Sequence, residues 1–248
     1  MLRNVRGLIE LLGKSTISPA LGHYGYTITS KMDPLSENFP KYYDEATKLG
    51  YDVNDWLEKK LGWVEALPVL KRTTFPYLQD DSIVCELGIG TGRWSRHLWK
   101  EVINGELHLV DHSPWLVDFV REYFPPCRCP NVYVHLCDGS TLPFQKGGWV
   151  DVIFSEGLFV ALKLGKFYTY SQEFFRVLKP GGYCVLDYID ITTPQGWNFL
   201  ETEPAASAST YSYHTPQTVD RIFSSAGFEI VTRHQIDYSS FLVIRRPL

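Results

Sequence analysis

The residues with the most chemical potential lie in the run Val84-Cys85-Glu86-Leu87-Gly88-Ile89-Gly90-Thr91-Gly92-Arg93. An apolar stretch enters three alternate glycines and then a helical pattern. Glycine has no Cβ, so such a turn bends sharply and brings backbone close to a ligand. A dinucleotide site needs G-x-G-x-x-G; here the third glycine comes one residue early, and Arg93 stands where that pattern requires glycine. Glu86 points the same way. A carboxylate aimed into the loop repels a pyrophosphate but suits an ammonium group, so the implied ligand is a nucleoside with an amino-acid tail. The alternative is an ordinary tight turn.

Two further acids stand at related places. Asp111 closes the next apolar run, where a carboxylate at the tip of a second strand can accept both ribose hydroxyls. Its alternative is a solvated strand-end charge. Asp138 closes the third run and is followed by Gly139, so the carboxylate can accept from an adenine amino group while the Gly139 N–H donates to the ring. Taken alone, Asp-Gly is simply a turn.

These positions require a scaffold of alternating elements. Strands are predicted over Ser82–Leu87, Leu107–Val110, Val132–Leu136, Val150–Phe154 and Tyr183–Leu186, with helices over Arg93–Val102, Pro114–Tyr123 and Phe167–Leu178. Continuous apolar strands alternating with helices predict a parallel sheet covered on both faces. In the tail, Thr215-Pro216 opens a helix that runs to Ser225 and is closed by Gly227. Glu229–His234 and Ser240–Ile244 then read as strands joined near Asp237 by a link too short for a parallel crossover, so they form an antiparallel hairpin. The expected fold is α/β and Rossmann-like: seven strands, mostly parallel, one antiparallel near the C-terminus, helices on both faces.

Residues 1–75 read differently, as a helical extension preceding a catalytic domain at 76–248. One helix falls over Asn38–Gly50. A second is opened by Asp55, with Trp56, Leu57, Leu61, Val64 and Leu67 on its apolar face and Pro68 bending or ending it. In Met1–Lys14, apolar residues at helical spacing alternate with Arg3, Arg6 and Lys14; this is a membrane-surface or targeting helix, or an amphipathic helix packed on the domain or a second subunit.

Composition narrows the function. The 248 residues carry a formal charge of −4, and no dense basic block is present, which argues against a nucleic-acid partner. No apolar run reaches the roughly 20 residues of a membrane span. The five cysteines, Cys85, Cys127, Cys129, Cys137 and Cys184, are odd in number, as suits free thiols in a reducing cytoplasm. Cys127-Arg128-Cys129 lacks the spacing and second ligand pair of a zinc site, so no metal is expected.

From about Gln79 onward the chain resembles the class I S-adenosylmethionine-dependent methyltransferases. The resemblance rests on CELGIGTGR, LVDHS, CDGSTLPF, WVDVIFSEG, RVLKPGGYCVLDY and YSYHTPQTVDRIFSSAGFEIV, in that order. It implies that Glu86, Gly88, Gly90 and Gly92 hold the methionine end of S-adenosylmethionine. It further implies Asp111 at the ribose, Asp138 and Gly139 at the adenine, and Ser155 near the sulfonium. His112 departs from the family, which more often has an apolar residue against adenine; the imidazole stacks there or points to solvent. Gly157–Ala161 lacks a histidine often found after the fourth strand, so no base is inherited there.

Acceptor contacts are sought beyond the carboxyl ends of the strands, at Glu156, Tyr188, Asp190, Tyr211, Tyr213 and His214. His214, Glu156 and Asp190 are the candidate general bases. The expected acceptor is a small molecule with an oxygen nucleophile, such as a sugar or natural-product intermediate. The alternatives are N-methylation of a small amine and a non-catalytic module that keeps the fold. The aromatics of the extension (Tyr24, Tyr26, Tyr42, Tyr43, Trp56, Trp63) are expected to form a lid over the acceptor, or else to pack it onto the domain or a homodimer partner.

Overall fold

The computed structural model describes residues 38–202 and 210–248. The segment Met1–Lys14 and the lid residues Tyr24 and Tyr26 lie outside the described residues. Among the described residues, no helix is long and apolar enough to cross a membrane.

The sheet is built from β1 (Ile83–Leu87), β2 (Glu106–Asp111), β3 (Val132–Leu136), β4 (Val150–Ser155), β5 (Leu178–Asp190), β6 (Tyr213–His214), β7 (Glu229–Ile236) and β8 (Ser239–Arg245). Their order is β3-β2-β1-β4-β5-β8-β7, with β6 lying off this path against β5. All pairings are parallel except those of β8, which runs against both β5 and β7. The reversal is a two-residue link in which Asp237 adopts φ 51°, a conformation Asp tolerates better than most residues.

Strand alternation sends neighbouring residues into two separate cores. Val84, Val152, Val185 and Val243 face one side. There they pack with Ala66, Val69 and Leu70 of α3 (Ala66–Thr73), Leu98 of α4 (Ser95–Glu101) and Val120 of α5 (Pro114–Tyr123). Cys85, Ile153, Cys184 and Leu186 face the other side, against Phe167 and Phe174 of α6 (Leu164–Val177) and Phe223 of α8 (Pro216–Ser225). The sheet is therefore clad on both faces, with α3 contributing to its core.

The extension departs from its sequence pattern. Helix α1 spans Phe39–Lys48, but the second predicted helix is two. The cap is Asp52 and not Asp55: its Oδ1 accepts from the N–H groups of Asn54 at 2.9 Å and Asp55 at 3.2 Å. Helix α2 (Val53–Lys59) then stops, and Gly62 turns the chain at φ 72°. Leu61 is exposed and not part of an apolar face. Pro68 neither bends nor ends a helix; it sits in the first turn of α3, where a missing N–H forfeits no intrahelical bond. The fifth strand is also longer than Tyr183–Leu186, because residues 178–182 join it across a register shift between Val150 and Val152 of β4. Helix α7 (Pro194–Thr202) and the two-residue β6 were not anticipated; β6 is the eighth strand beside the expected seven.

Candidate cofactor and acceptor site

The carboxyl ends of the parallel strands gather the expected residues. Strand β1 delivers Glu86 and then the turn with Gly88, Gly90 and Gly92, at φ 81°, 52° and 81°. The positive φ strains any side chain at these positions, and a Cβ on Gly88 or Gly92 would crowd Leu158 or the Phe124 ring at 3.1 Å. Glu86 is 1% exposed, and neither carboxylate oxygen has a hydrogen-bond partner. Burial pushes its pKa up to about 8. The nearby Ser95 hydroxyl, itself without a partner in hydrogen-bonding geometry, opposes this, as does Arg93; Glu156 and Asp111 add to it. A buried acid with two open oxygens beside a glycine turn fits an ammonium group, which would supply both hydrogen bonds and charge.

At the tip of β2, Asp111 is buried and accepts the Ser113 N–H at 2.8 Å through Oδ1. Ser113 in turn caps α5. The half-exposed His112 ring stands against Gly139: a Cβ there would lie 3.7 Å from the His112 Cβ. The tips of β2 and β3 thus meet around the place expected for an adenine. Asp138 is turned into its own loop, accepting the N–H groups of Ser140 at 2.8 Å and Thr141 at 2.7 Å. The Thr141 N–H is the main reason its pKa is lowered. Lys166 of α6 reaches across to the Gly139 carbonyl at 2.7 Å and to the Ser140 hydroxyl. Ser155 is fully buried and donates to the Leu87 carbonyl at 2.8 Å, joining β4 to the strand that carries the glycine turn.

The candidate bases are each already engaged. Glu156 Oε2 accepts from the Trp94 indole at 2.5 Å and from Arg93 at 3.3 Å. Burial raises its pKa while Arg93 and Trp94 oppose. Asp190 Oδ1 accepts from both the N–H and the hydroxyl of Thr192. His214 lies beside Asp190 in the β5–β6 pairing, its Nε2 is 3.2 Å from the Leu162 carbonyl, and burial lowers its pKa. The cap of α8 is Thr215, not His214. Tyr188 is buried in β5, its hydroxyl 3.3 Å from Arg233 Nε. Tyr211 packs edge-on against Phe199 of α7, and Tyr213 lies in β6, paired with Ile189.

Asp187 has no counterpart among the expected residues. It is 1% exposed in β5, accepting the Gly157 N–H at 2.9 Å and the Ser239 hydroxyl at 3.0 Å. Burial pushes its pKa up to about 8, with Glu156 adding to the rise. Tyr238, next to Ser239, stacks on Phe199 at 4.1 Å. The only sequence signal for Asp187 is a lone charge within the otherwise uncharged run from Tyr183 to Ile189. Tyr238 and Phe199 lie in the hairpin link and in the unanticipated helix, so nothing local marked them. Among the described residues, no group of three or more His, Cys, Asp or Glu side chains is arranged to hold a metal ion.

A glycine turn at the head of a parallel sheet serves several cofactors; what separates them here is the acid behind it. Glu86 disfavours a pyrophosphate, and with the reversed β8 the fold is that of the class I S-adenosylmethionine-dependent methyltransferases. Residues 84–182 match the family model described as a methyltransferase domain, so the chain carries that domain from β1 into β5. Among solved structures it is similar to an S-adenosylmethionine-dependent methyltransferase from Aquifex aeolicus (21% identity, 82% of this chain and 96% of that one, TM-score 0.59). It is also similar to a structure of the complex between the Haloferax volcanii Trm112 methyltransferase activator and a methyltransferase (18%, 88% and 100%, 0.66). A third is geranyl diphosphate C-methyltransferase from Streptomyces coelicolor, bound to Mg²⁺, geranyl-S-thiolodiphosphate and S-adenosylhomocysteine (14%, 72% and 74%, 0.58). At these identities the likeness is one of fold. No curated protein matches the chain.

Proposed function

We propose that the protein methylates a small molecule, and the observation that carries the cofactor half of this reading is the buried, unpartnered carboxylate of Glu86 at the glycine turn. When bound, S-adenosylmethionine supplies a methyl group already activated on sulfur. The chain's own work is then alignment and exclusion of water. Glu86 and the glycine turn receive the amino-acid end, Asp111 the ribose, and His112, Asp138 and Gly139 the adenine. Ser155 holds β4 against β1 beneath the site of transfer.

For the acceptor, the geometry favours an amine over the oxygen nucleophile expected from sequence. The bonds of His214, Glu156 and Asp190 each occupy one ring nitrogen or one carboxylate oxygen, so a general base for a hydroxyl acceptor stays compatible with them. The acids Glu156 and Asp187 act electrostatically on Tyr238, whose ring stacks on Phe199, which packs in turn against Tyr211. Acids together with aromatic faces form the chemistry that takes up a cation. The oxygen-acceptor reading keeps the support of the aromatic-rich extension and the absence of a basic groove. Within the extension, α1 and α2 are the candidate lid in either case, since α3 belongs to the core of the sheet. The five unpaired cysteines support a reducing, cytoplasmic setting.

The test is calorimetry with S-adenosylhomocysteine and with NAD, followed by turnover against matched panels of small amines and alcohols with label in the methyl group. Binding of S-adenosylhomocysteine but not NAD, with label transferred to amines, is the expected result. Tight NAD binding without S-adenosylhomocysteine binding refutes the cofactor; binding without transfer to any acceptor identifies a non-catalytic module.

A further inference from the structure

The extension touches the glycine turn directly, at its middle. Asn54, in the first turn of α2, is fully buried. Its Nδ2 donates to the Thr91 carbonyl at 3.0 Å, and the Thr91 hydroxyl donates back to Asn54 Oδ1 at 2.6 Å. Thr91 lies between Gly90 and Gly92 and is itself buried. Other ties converge on the same place. Arg93 donates to the Val64 carbonyl at 2.6 Å, with its guanidinium 5.3 Å from the Trp63 ring. Arg96 of α4 bonds Asp55 at 2.7 Å and Glu58 at 3.2 Å. The Phe39 ring lies 3.4 Å from where a Cβ on Gly90 would be.

We propose that Asn54 is a positioning residue for the cofactor: its two-way bond with Thr91 holds the glycine turn in its receptive conformation, so helix α2 acts on cofactor affinity. This rests on the cofactor reading given above. A five-residue turn with three glycines has more backbone freedom to lose than one built of ordinary residues. If nothing fixed it beforehand, that ordering would be charged against ligand binding. Asn54 fixes the turn from outside the sheet domain's own glycine motif, using the one non-glycine polar side chain inside it.

The experiment uses the full chain and three variants: Asn54→Ala, Thr91→Val and the double variant. Asn54→Ala removes both bonds. Thr91→Val keeps the side-chain shape and removes one. S-adenosylhomocysteine affinity is measured by calorimetry, and kcat and KM for S-adenosylmethionine with whichever acceptor turns over. The expected result is a Kd raised about tenfold by Asn54→Ala and about threefold or more by Thr91→Val, with the double variant no worse than Asn54→Ala. KM for S-adenosylmethionine should rise in step, with kcat at saturation within about twofold of wild type. A merely structural role would lower the melting temperature without this split between KM and kcat. Should Asn54→Ala fail to fold, the isosteric Thr91→Val decides alone. Wild-type binding with unchanged affinity in the folded variants overturns the role of Asn54. Absence of binding by the wild type overturns the cofactor reading, and this inference with it.

Discussion

Replacing Glu86 by Gln should stabilise the free chain and weaken cofactor binding together. The folded chain holds this carboxyl at a pKa of about 8, against 4.5 in the unfolded chain, because it is buried without a partner. An acid with a raised folded pKa takes a proton on folding at any pH between the two values. Stability from this group is therefore greatest below about pH 4.5 and falls as pH rises toward 8. At pH 7 the gap of about 2.5 pH units corresponds to an upper bound of roughly 3 kcal/mol. Gln cannot ionise, so Glu86→Gln should recover up to about 3 kcal/mol at pH 7 and little at pH 4.5, flattening the pH dependence of the melting temperature. Binding should move the opposite way. Loss of a charge-assisted bond to an ammonium group costs about 1.5–3 kcal/mol, or roughly a 10- to 150-fold rise in Kd for S-adenosylhomocysteine. Thermal unfolding from pH 4.5 to 8 and calorimetry at pH 7 measure the two effects. A variant with wild-type stability at every pH and wild-type affinity would refute both the buried charge and its role.

Two other outcomes follow from the same geometry. Asp111→Ala should raise the S-adenosylhomocysteine Kd about tenfold or more while the chain stays folded; unchanged affinity in calorimetry would leave Asp111 as the cap of its own turn with Ser113. His135, 3.0 Å from His108, has its pKa lowered to about 4 by burial, with His108 and Arg121 adding. Its neutral form stabilises the fold fully above about pH 6.5, and that contribution is lost as pH falls from 6.5 toward 4; His135→Phe should flatten this limb by about 1–2 kcal/mol after allowance for partial solvent screening, as read by urea unfolding at pH 7 and pH 4.5.

The parallel sheet was legible because its strands are short continuous apolar runs, and burial on both faces leaves that pattern little other use. The reversed β8 was legible because two strands separated by so short a link have only an antiparallel solution. The extension was less so. Asp52 and Asp55 are both good caps, and only the packing of Trp56 and Leu57 against α1 decides which turn begins the helix. Pro68 reads equally as an end or a beginning, since proline suits the first turn and forbids only the interior.

For the site, the sequence alone determined which residues gather at the strand ends. Glu86, the glycine turn, Asp111 and Asp138-Gly139 lie at the ends of consecutive strands, and a parallel sheet must bring such ends to one edge. Tertiary structure alone decided which groups are committed and which are open. Asp187, Ser239 and Gly157 come together only when β8 lies against β5. His214 and Asp190, attractive as bases in the sequence, prove to be hydrogen-bonded to Leu162 and Thr192. Asn54 meets Thr91 across 37 residues, and nothing near either residue announces the other. The reason is physical. Strand-end chemistry follows from local periodicity, whereas a hydrogen-bond partner is chosen by distance in space, which separation along the chain does not encode.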